Sequence, residues 1–337
     1  MKFVQTFEDI TDQRGGSVVP DQLLLHKGDQ SLLMRSDREQ NAIFHVDVER
    51  PDVVDKWSTG SQVVSQLYQR SKYHQLSGDP TVLGLNAQGT FMIDPRIPGA
   101  KNVARQAKYV SRSTSRASAF TCAATTGQGH VILGSESGEI RLYSRNMWDG
   151  KGSSTGWTMK TYEDVDHVKS DGGQGGSLRA RTRLPGRGSP ILAIDVTEDG
   201  TLAVCTTKTY LLLIPTVVPE TGQTGYDRPM GQQKPVPTKL ELGFRHVRQL
   251  KGQVSFTPAK FNQSPAGERY IVTSTGNLVI TWSFEFKNGR LRVNPNYRTK
   301  AYHQTVVADE FRYAHDGEVL VALEQDVTVA RKMNASR

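Results

Sequence analysis

The residues able to do chemistry are sparse in this chain, and none falls at a spacing that a reaction needs. A phosphate-gripping loop wraps backbone amides around a phosphate and ends in Lys followed by Ser or Thr. The nearest approach is Gly150-Lys151, but Gly152 follows the lysine and Arg145 stands where the first glycine belongs. Gly127-Gln128-Gly129 has Ile132 where the third glycine of a dinucleotide turn should sit, and it leads into a strand pattern instead of a helix. Gly134-Ser135-Glu136-Ser137-Gly138 places Glu136 where a nucleophile elbow requires serine, so it reads as a hairpin turn. The eight histidines include no i, i+4 pair that could ligate a metal from one helical face. His45, inside an alternating strand pattern, reads as a sheet residue. Asp47, Asp94 and Asp195 are carboxylates that could line a channel and serve as acid or base, but the sequence does not assign them a face. Cys122 and Cys205 sit among small apolar neighbours and read as buried free thiols. No enzyme, no metal and no cofactor is expected.

Charge is the more informative chemistry. Residues 95–135 contain no acidic side chain, yet carry Arg96, Lys101, Arg105, Lys108, Arg112 and Arg116; residues 172–194 likewise carry only Arg179, Arg181, Arg183 and Arg187. These ten cations exceed the formal net charge of +8, so the basic excess is concentrated in two segments. Such a surface attracts acidic protein tails, phosphoinositide head groups or nucleic acid. The alternative is a solubilising rim without a dedicated partner. The expected partner-binding residues are Lys101, Arg105, Lys108, Arg112, Arg116, Arg179, Arg181 and Arg183.

Those segments flank the unit at 120–144, one of several similar units. Within 181–214, a stretch of Pro185, Gly186, Gly188 and Pro190 precedes ILAIDV, Glu198-Asp199-Gly200 turns the chain into TLAVCTT, and a turn at Lys208 leads to TYLLLI. Apolar, β-branched runs joined by glycine turns are hairpin chemistry. The same grammar recurs at 23–48, 63–97, 120–144, 254–284 and 306–331. Repeats of roughly 40 to 45 residues, each a small antiparallel sheet, indicate a β-propeller. The expected fold is therefore all-β and WD-repeat-like: four-stranded antiparallel blades in a ring, six recognisable and a seventh open. A two-sheet sandwich would use similar strands. The whole chain, 1–337, reads as one propeller domain, with Gly- and Ser-rich or Pro-rich loop insertions at 146–177 and 216–238.

The sequence has no apolar run of membrane-spanning length, and MKFVQTFEDI lacks the apolar core of a signal peptide. A reducing, cytoplasmic setting is expected, with the nucleus and the periphery of endomembranes also accessible.

LPGRGSPILAIDVTEDGTLAVCTTKTYLLLI and GTFMIDPRIPG, together with SFTPAKFN, IVTSTGNLVITWSF and VVADEFRYAHDGEVLVALEQDV, closely resemble the C-terminal WD-repeat-like domain of the vacuolar import and degradation protein family, member twenty-seven. The resemblance runs almost the length of the chain. It implies a eukaryotic, intracellular propeller with a proposed role in protein delivery to the vacuole for degradation. Larger family members carry a folded region before the propeller, whereas here the resemblance begins with FVQTFED, a single strand able to close the ring against DVTVAR. The 146–177 insertion is longer than the family pattern. The expected function is a non-enzymatic scaffold for protein partners with acidic segments. The alternative is a basic module for phosphoinositide membranes or, less favoured, nucleic acid.

The continuous run Leu211, Leu212, Leu213 and Ile214 requires cover on both faces. Leu212→Asp should therefore destabilise the fold by several kcal/mol, roughly the cost of burying an unpaired charge. A melting temperature equal to the parent's would show that strand to be exposed.

Overall fold

A computed structural model describes residues 20–331, apart from 28–29, 37, 51–53, 61, 73–79, 97–102, 109–118, 146–179, 185–187, 219–220, 265–266, 288–289 and 313–317. The N-terminal FVQTFED, the 146–177 insertion and the Gly28-Asp29 and His315-Asp316-Gly317 turns lie outside the described residues. Two compact units are present. The first comprises 1–121, 127–130 and 144–179; the second comprises 122–126, 131–143 and 180–337.

The described strands form six antiparallel sheets. In the first unit, β1 (Pro20–His26), β2 (Ser31–Ser36), β3 (Ala42–Asp47) and β4 (Val54–Ser58) make one four-stranded meander, and β5 (Gln66–Gln69), β6 (Val82–Asn86), β7 (Gly89–Ile93) and β8 (Val103–Lys108) make the next. Leu33, Ile43, Leu67, Val82, Phe91 and Ile93 fill the layer between these two sheets. Gln22 acts as a substitute strand across that layer: its side-chain amide donates to Leu67 O at 2.6 Å and its carbonyl accepts from Leu67 N at 2.7 Å. Among the described side chains of β4, Trp57 stacks on His45 with ring centroids 5.0 Å apart. His45 is thus a packed sheet residue, and burial lowers its pKa despite the opposing pull of Asp55.

The second unit holds four further sheets. β9 (Phe120–Thr125), β10 (Val131–Ser135), β11 (Ile140–Tyr143) and β12 (Thr182–Leu184) form the third; β13 (Ala193–Val196), β14 (Leu202–Thr206), β15 (Leu211–Pro215) and β16 (Thr238–Leu240) form the fourth. In the fifth, β17 (Lys260–Phe261) and β18 (Tyr270–Thr275) pair in order with the ten-residue β19 (Leu278–Lys287). One half of β19 pairs with β21 (Arg298–Ala301) and the other with β20 (Arg290–Val293). The sixth has three described strands, β22 (Val306–Phe311), β23 (Glu318–Leu323) and β24 (Val327–Arg331).

All five residues of β10, β14 and β15 are buried, which accounts for their almost wholly apolar composition, with Ser135 and Thr206 at two strand ends. Both a strand of the same sheet and the approach to the fourth sheet come close to β10. A Cβ on Gly134 would lie 2.7 Å from Cys122 Sγ and 2.9 Å from Ile191 Cγ2. Gly134 is therefore a packing position inside β10, and the turn proper is Glu136 to Gly138. Gly200 serves a turn with φ +74°, in the left-handed region that glycine tolerates.

The 181–214 stretch divides between two sheets. β12 pairs with β11, Thr182 opposite Leu142 and Leu184 opposite Ile140, so it closes the third sheet on its outer side. The fourth sheet begins only after Pro190. Within 216–238, Val217 bridges Thr224, and Tyr226 and Met230 are buried in the cluster containing Leu142, Leu184 and Ile214. Thr182 Oγ1 fixes this stretch by donating to Gly225 O at 2.7 Å.

Polar links also join neighbouring sheets of this unit. Phe261 N donates to Asp195 Oδ2 at 2.8 Å, Ala259 N donates to Thr206 Oγ1 at 2.9 Å, and Thr257 Oγ1 donates to Asp309 Oδ1 at 2.5 Å. Asp309 is buried, and desolvation raises its pKa, partly offset by the Thr257 and Ser274 hydroxyls.

A raised folded-state pKa means that the folded protein holds its proton more tightly than the unfolded chain. This stabilising contribution is complete below the ordinary value of 3.8 and is lost as pH rises through the folded-state pKa. Asp309→Asn keeps the acceptor for Thr257 and removes the ionisation. Thermal melts should show the variant above the parent at pH 7, with the gap narrowing toward pH 4; a variant that melts lower at pH 7 would contradict the desolvation argument.

Candidate interaction surface

The described part of the predicted basic surface is the outer edge of the third sheet. Along β12 the side chains alternate because successive strand residues face opposite ways. Thr182 and Leu184 are buried, whereas Arg181, just before the strand, and Arg183 are exposed. Arg183 lies directly opposite Arg141 on β11. Two cations in register would repel, and Glu139 resolves the conflict. Arg141 Nε donates to one oxygen of Glu139 at 2.5 Å, and Arg183 Nη2 lies 2.5 Å from the other. The Glu139 side chain is 9% exposed and that of Arg183 is 67% exposed. The buried carboxylate is thus flanked by two guanidiniums, one inside the sheet edge and one reaching into solvent.

Arg105 and Lys108 lie on β8, the last strand of the second sheet, where only the backbone is described; Arg105 pairs in register with Met92 and Lys108 with Gly89. Lys101, Arg112, Arg116 and Arg179 lie outside the described residues. Arg96 forms a two-pronged pair with Asp94, Nε to Oδ1 at 2.8 Å and Nη2 to Oδ2 at 2.7 Å, which holds the Asp94 carboxyl below its usual range. Two of the cations counted in the acid-free segments, Arg96 and Arg183, are therefore matched by carboxylates located just outside those segments.

The three candidate channel carboxylates have separate local roles. Asp47 accepts from the backbone N–H groups of Glu49 and Arg50, which lowers its pKa; Asp94 holds Arg96; Asp195 holds the Phe261 N–H. Cys122 and Cys205 are buried free thiols, and burial pushes Cys205 well up in pKa. Among the described residues, no group of three or more His, Cys, Asp or Glu side chains is arranged to hold a metal. No described helix is long and apolar enough to cross a membrane, a statement that does not bear on strands.

Sequence reasoning overlooked a second cationic region. Residues 242–267 and 286–308 are also free of acidic side chains, and they supply α1 (Phe244–Gln249) and β20 and β21 of the fifth sheet. The missing signal was available in the same charge count, although the helix itself has no capping side chain to announce it.

Six small antiparallel sheets, with buried central strands and polar cross-links between neighbouring sheets within a unit, define a WD40-like β-propeller. More particularly, the chain belongs to the family described as VID27 C-terminal WD40-like domain, whose family model matches residues 1–153 and 176–337. The unmatched interval falls within the Gly- and Ser-rich stretch. The chain is 32% identical over its whole length to vacuolar import and degradation protein 27 of Schizosaccharomyces pombe. It is 29% identical, over 98% of its length, to the protein of the same name from Saccharomyces cerevisiae. It spans 39% of the length of each of these relatives. A chain in a crystal structure of the mitotic checkpoint complex shares the fold, with a TM-score of 0.54 and 12% identity over 94% of this chain and 75% of that one.

The Glu139 arrangement separates a structural from an exposed cation. Glu139→Ala should cost about 3 kcal/mol, because it removes the carboxylate opposite the buried Arg141. Arg183→Ala should cost less than about 1 kcal/mol, as expected for an exposed pair member. Equal losses in denaturant titrations of the two variants would contradict this division.

Proposed function

We propose that the chain is a non-enzymatic scaffold that binds protein partners carrying acidic segments, in a role related to vacuolar import and degradation. Family membership supports the biological setting. The observation that carries the partner chemistry is the edge strand β12, which presents Arg181 and Arg183 to solvent from a sheet whose inner strands are buried. A rigid sheet holding exposed guanidiniums at fixed spacing binds carboxylates with little ordering cost. Lys101, Arg105, Lys108, Arg112, Arg116 and Arg179 are the remaining proposed partner-binding residues, by their place in the two acid-free segments.

The test is capture of partners by the immobilised chain, comparing the parent with a variant carrying Arg105→Glu, Lys108→Glu, Arg181→Glu and Arg183→Gln. Gln is preferred at 183 because a second carboxylate would face Glu139. The expected result is loss of captured acidic proteins at an almost unchanged melting temperature, since exposed charges contribute little to stability. Unchanged capture by the folded variant would reduce these cations to a solubilising role. Capture of nucleic acid, with the steep salt dependence of counterion release, would replace the protein-partner reading.

A further inference from the structure

We propose a second binding surface, built on α1 and the edge of the fifth sheet, that docks on anionic lipid bilayers. Phe244 opens α1 with 79% of its surface exposed. A lone exposed aromatic is common, but this one stands among Arg245, Arg248 and Lys251, all exposed. Among the described residues none of these three cations has an ion-pair partner. On a helix, Phe244 and Arg248 are one turn apart on the same face, with Arg245 adjacent.

The outward face is held in place from within. Val247 and Leu250 pack into the cluster containing Phe256, Leu278 and Trp282. A Cβ added to Gly276, in the β18–β19 turn, would meet Leu250 Cδ2 at 2.9 Å, so that turn lies directly beneath the helix end. Tyr297, preceding β21, accepts from Gly243 N at 2.7 Å and lies 2.8 Å from His246 Nδ1 through its hydroxyl. β21 adds the exposed cations Arg298 and Lys300 beside the helix.

Charge complementarity requires an anionic partner. The aromatic decides its class. Phe244 projects outward instead of lining a groove, so a peptide would have to bring its own pocket, whereas a bilayer interface accepts a projecting apolar side chain anywhere along its plane. Cations around an apolar wedge match the phosphate-bearing head groups and the acyl boundary beneath them.

The full chain should co-sediment with phosphatidylcholine vesicles containing phosphatidylserine, but not with phosphatidylcholine alone, and binding should weaken as salt rises. Arg245→Ala with Arg248→Ala should weaken it on the order of 30-fold, and Phe244→Ser about tenfold, with melting temperatures unchanged. Arg181→Glu should leave vesicle binding unaltered, which separates this surface from the protein-binding edge at β12. The inference is overturned by absence of binding to anionic vesicles, or by binding that both helix variants retain. Loss in the double Arg variant but not in Phe244→Ser would also overturn it, in favour of a soluble acidic partner. Loss of vesicle binding in Arg181→Glu would overturn it as well.

Discussion

Within each unit the structure depends on burying both faces of its sheets. A sheet covered on one side can alternate apolar and polar residues, but β10, β14 and β15 are buried at every position. Two consequences follow. Side chains within a sheet and between neighbouring sheets must interlock, which is why Gly134 has no room for a Cβ against Cys122 of its own sheet and Ile191 ahead of the next. Polar groups caught between sheets must also find partners there, because an unmet buried donor costs about 1–3 kcal/mol. Gln22 against the Leu67 backbone, Asp195 against Phe261 N and Thr206 against Ala259 N meet that demand. Each such bond also fixes how one sheet is set against the next, since a slide by one residue would leave both partners buried and unmet.

This constraint explains what could be read from the sequence. Apolar runs bounded by glycine turns are dictated locally, so β13, β14 and β15 were visible in ILAIDV, TLAVCTT and TYLLLI. Sheet membership of a short edge strand is not local. β12 has three residues, and its partner β11 ends at Tyr143, far back in the chain. Only the pairing of Thr182 with Leu142 assigns it to the third sheet, and nothing in RTRLPG states that pairing. The Pro-rich stretch at 216–238 shows the same limit. Its composition suggests a loop, but Tyr226 and Met230 are core residues of the second unit, held by a hydrogen bond to Thr182. Six-residue α1 shows too little periodicity to register, and its stability comes from Val247 and Leu250 packing against the fifth sheet.

Charge required the same step from order to space. Counting along the chain found two acid-free runs, but the field at a surface depends on neighbours in three dimensions. Glu139 lies outside the run containing Arg183 and is nevertheless its ion-pair partner across the β11–β12 edge. Asp94 similarly holds Arg96. Conversely, Arg245, Arg248 and Lys251 lie at every third position of a short stretch, and α1 with the residues just after it leaves all three exposed. A run of cations is thus a weaker guide than a cation whose carboxylate neighbours have been accounted for.

The two demands, buried polar links and exposed charge, divide the polar residues of this chain by task. Carboxylates that composition alone would nominate for acid–base work are engaged in holding the architecture: Asp195 meets a backbone amide of the next sheet, and Asp309 meets the Thr257 hydroxyl. Moving either to make a reactive group would unfasten a contact between sheets. The groups that can change partners without such a cost are those on edge strands and on α1, where Arg181 and Phe244 are exposed and Arg183 reaches Glu139 from the solvent side. The exposed cations and the exposed aromatic therefore stand where the sheets end, on elements held in place by the buried strands behind them.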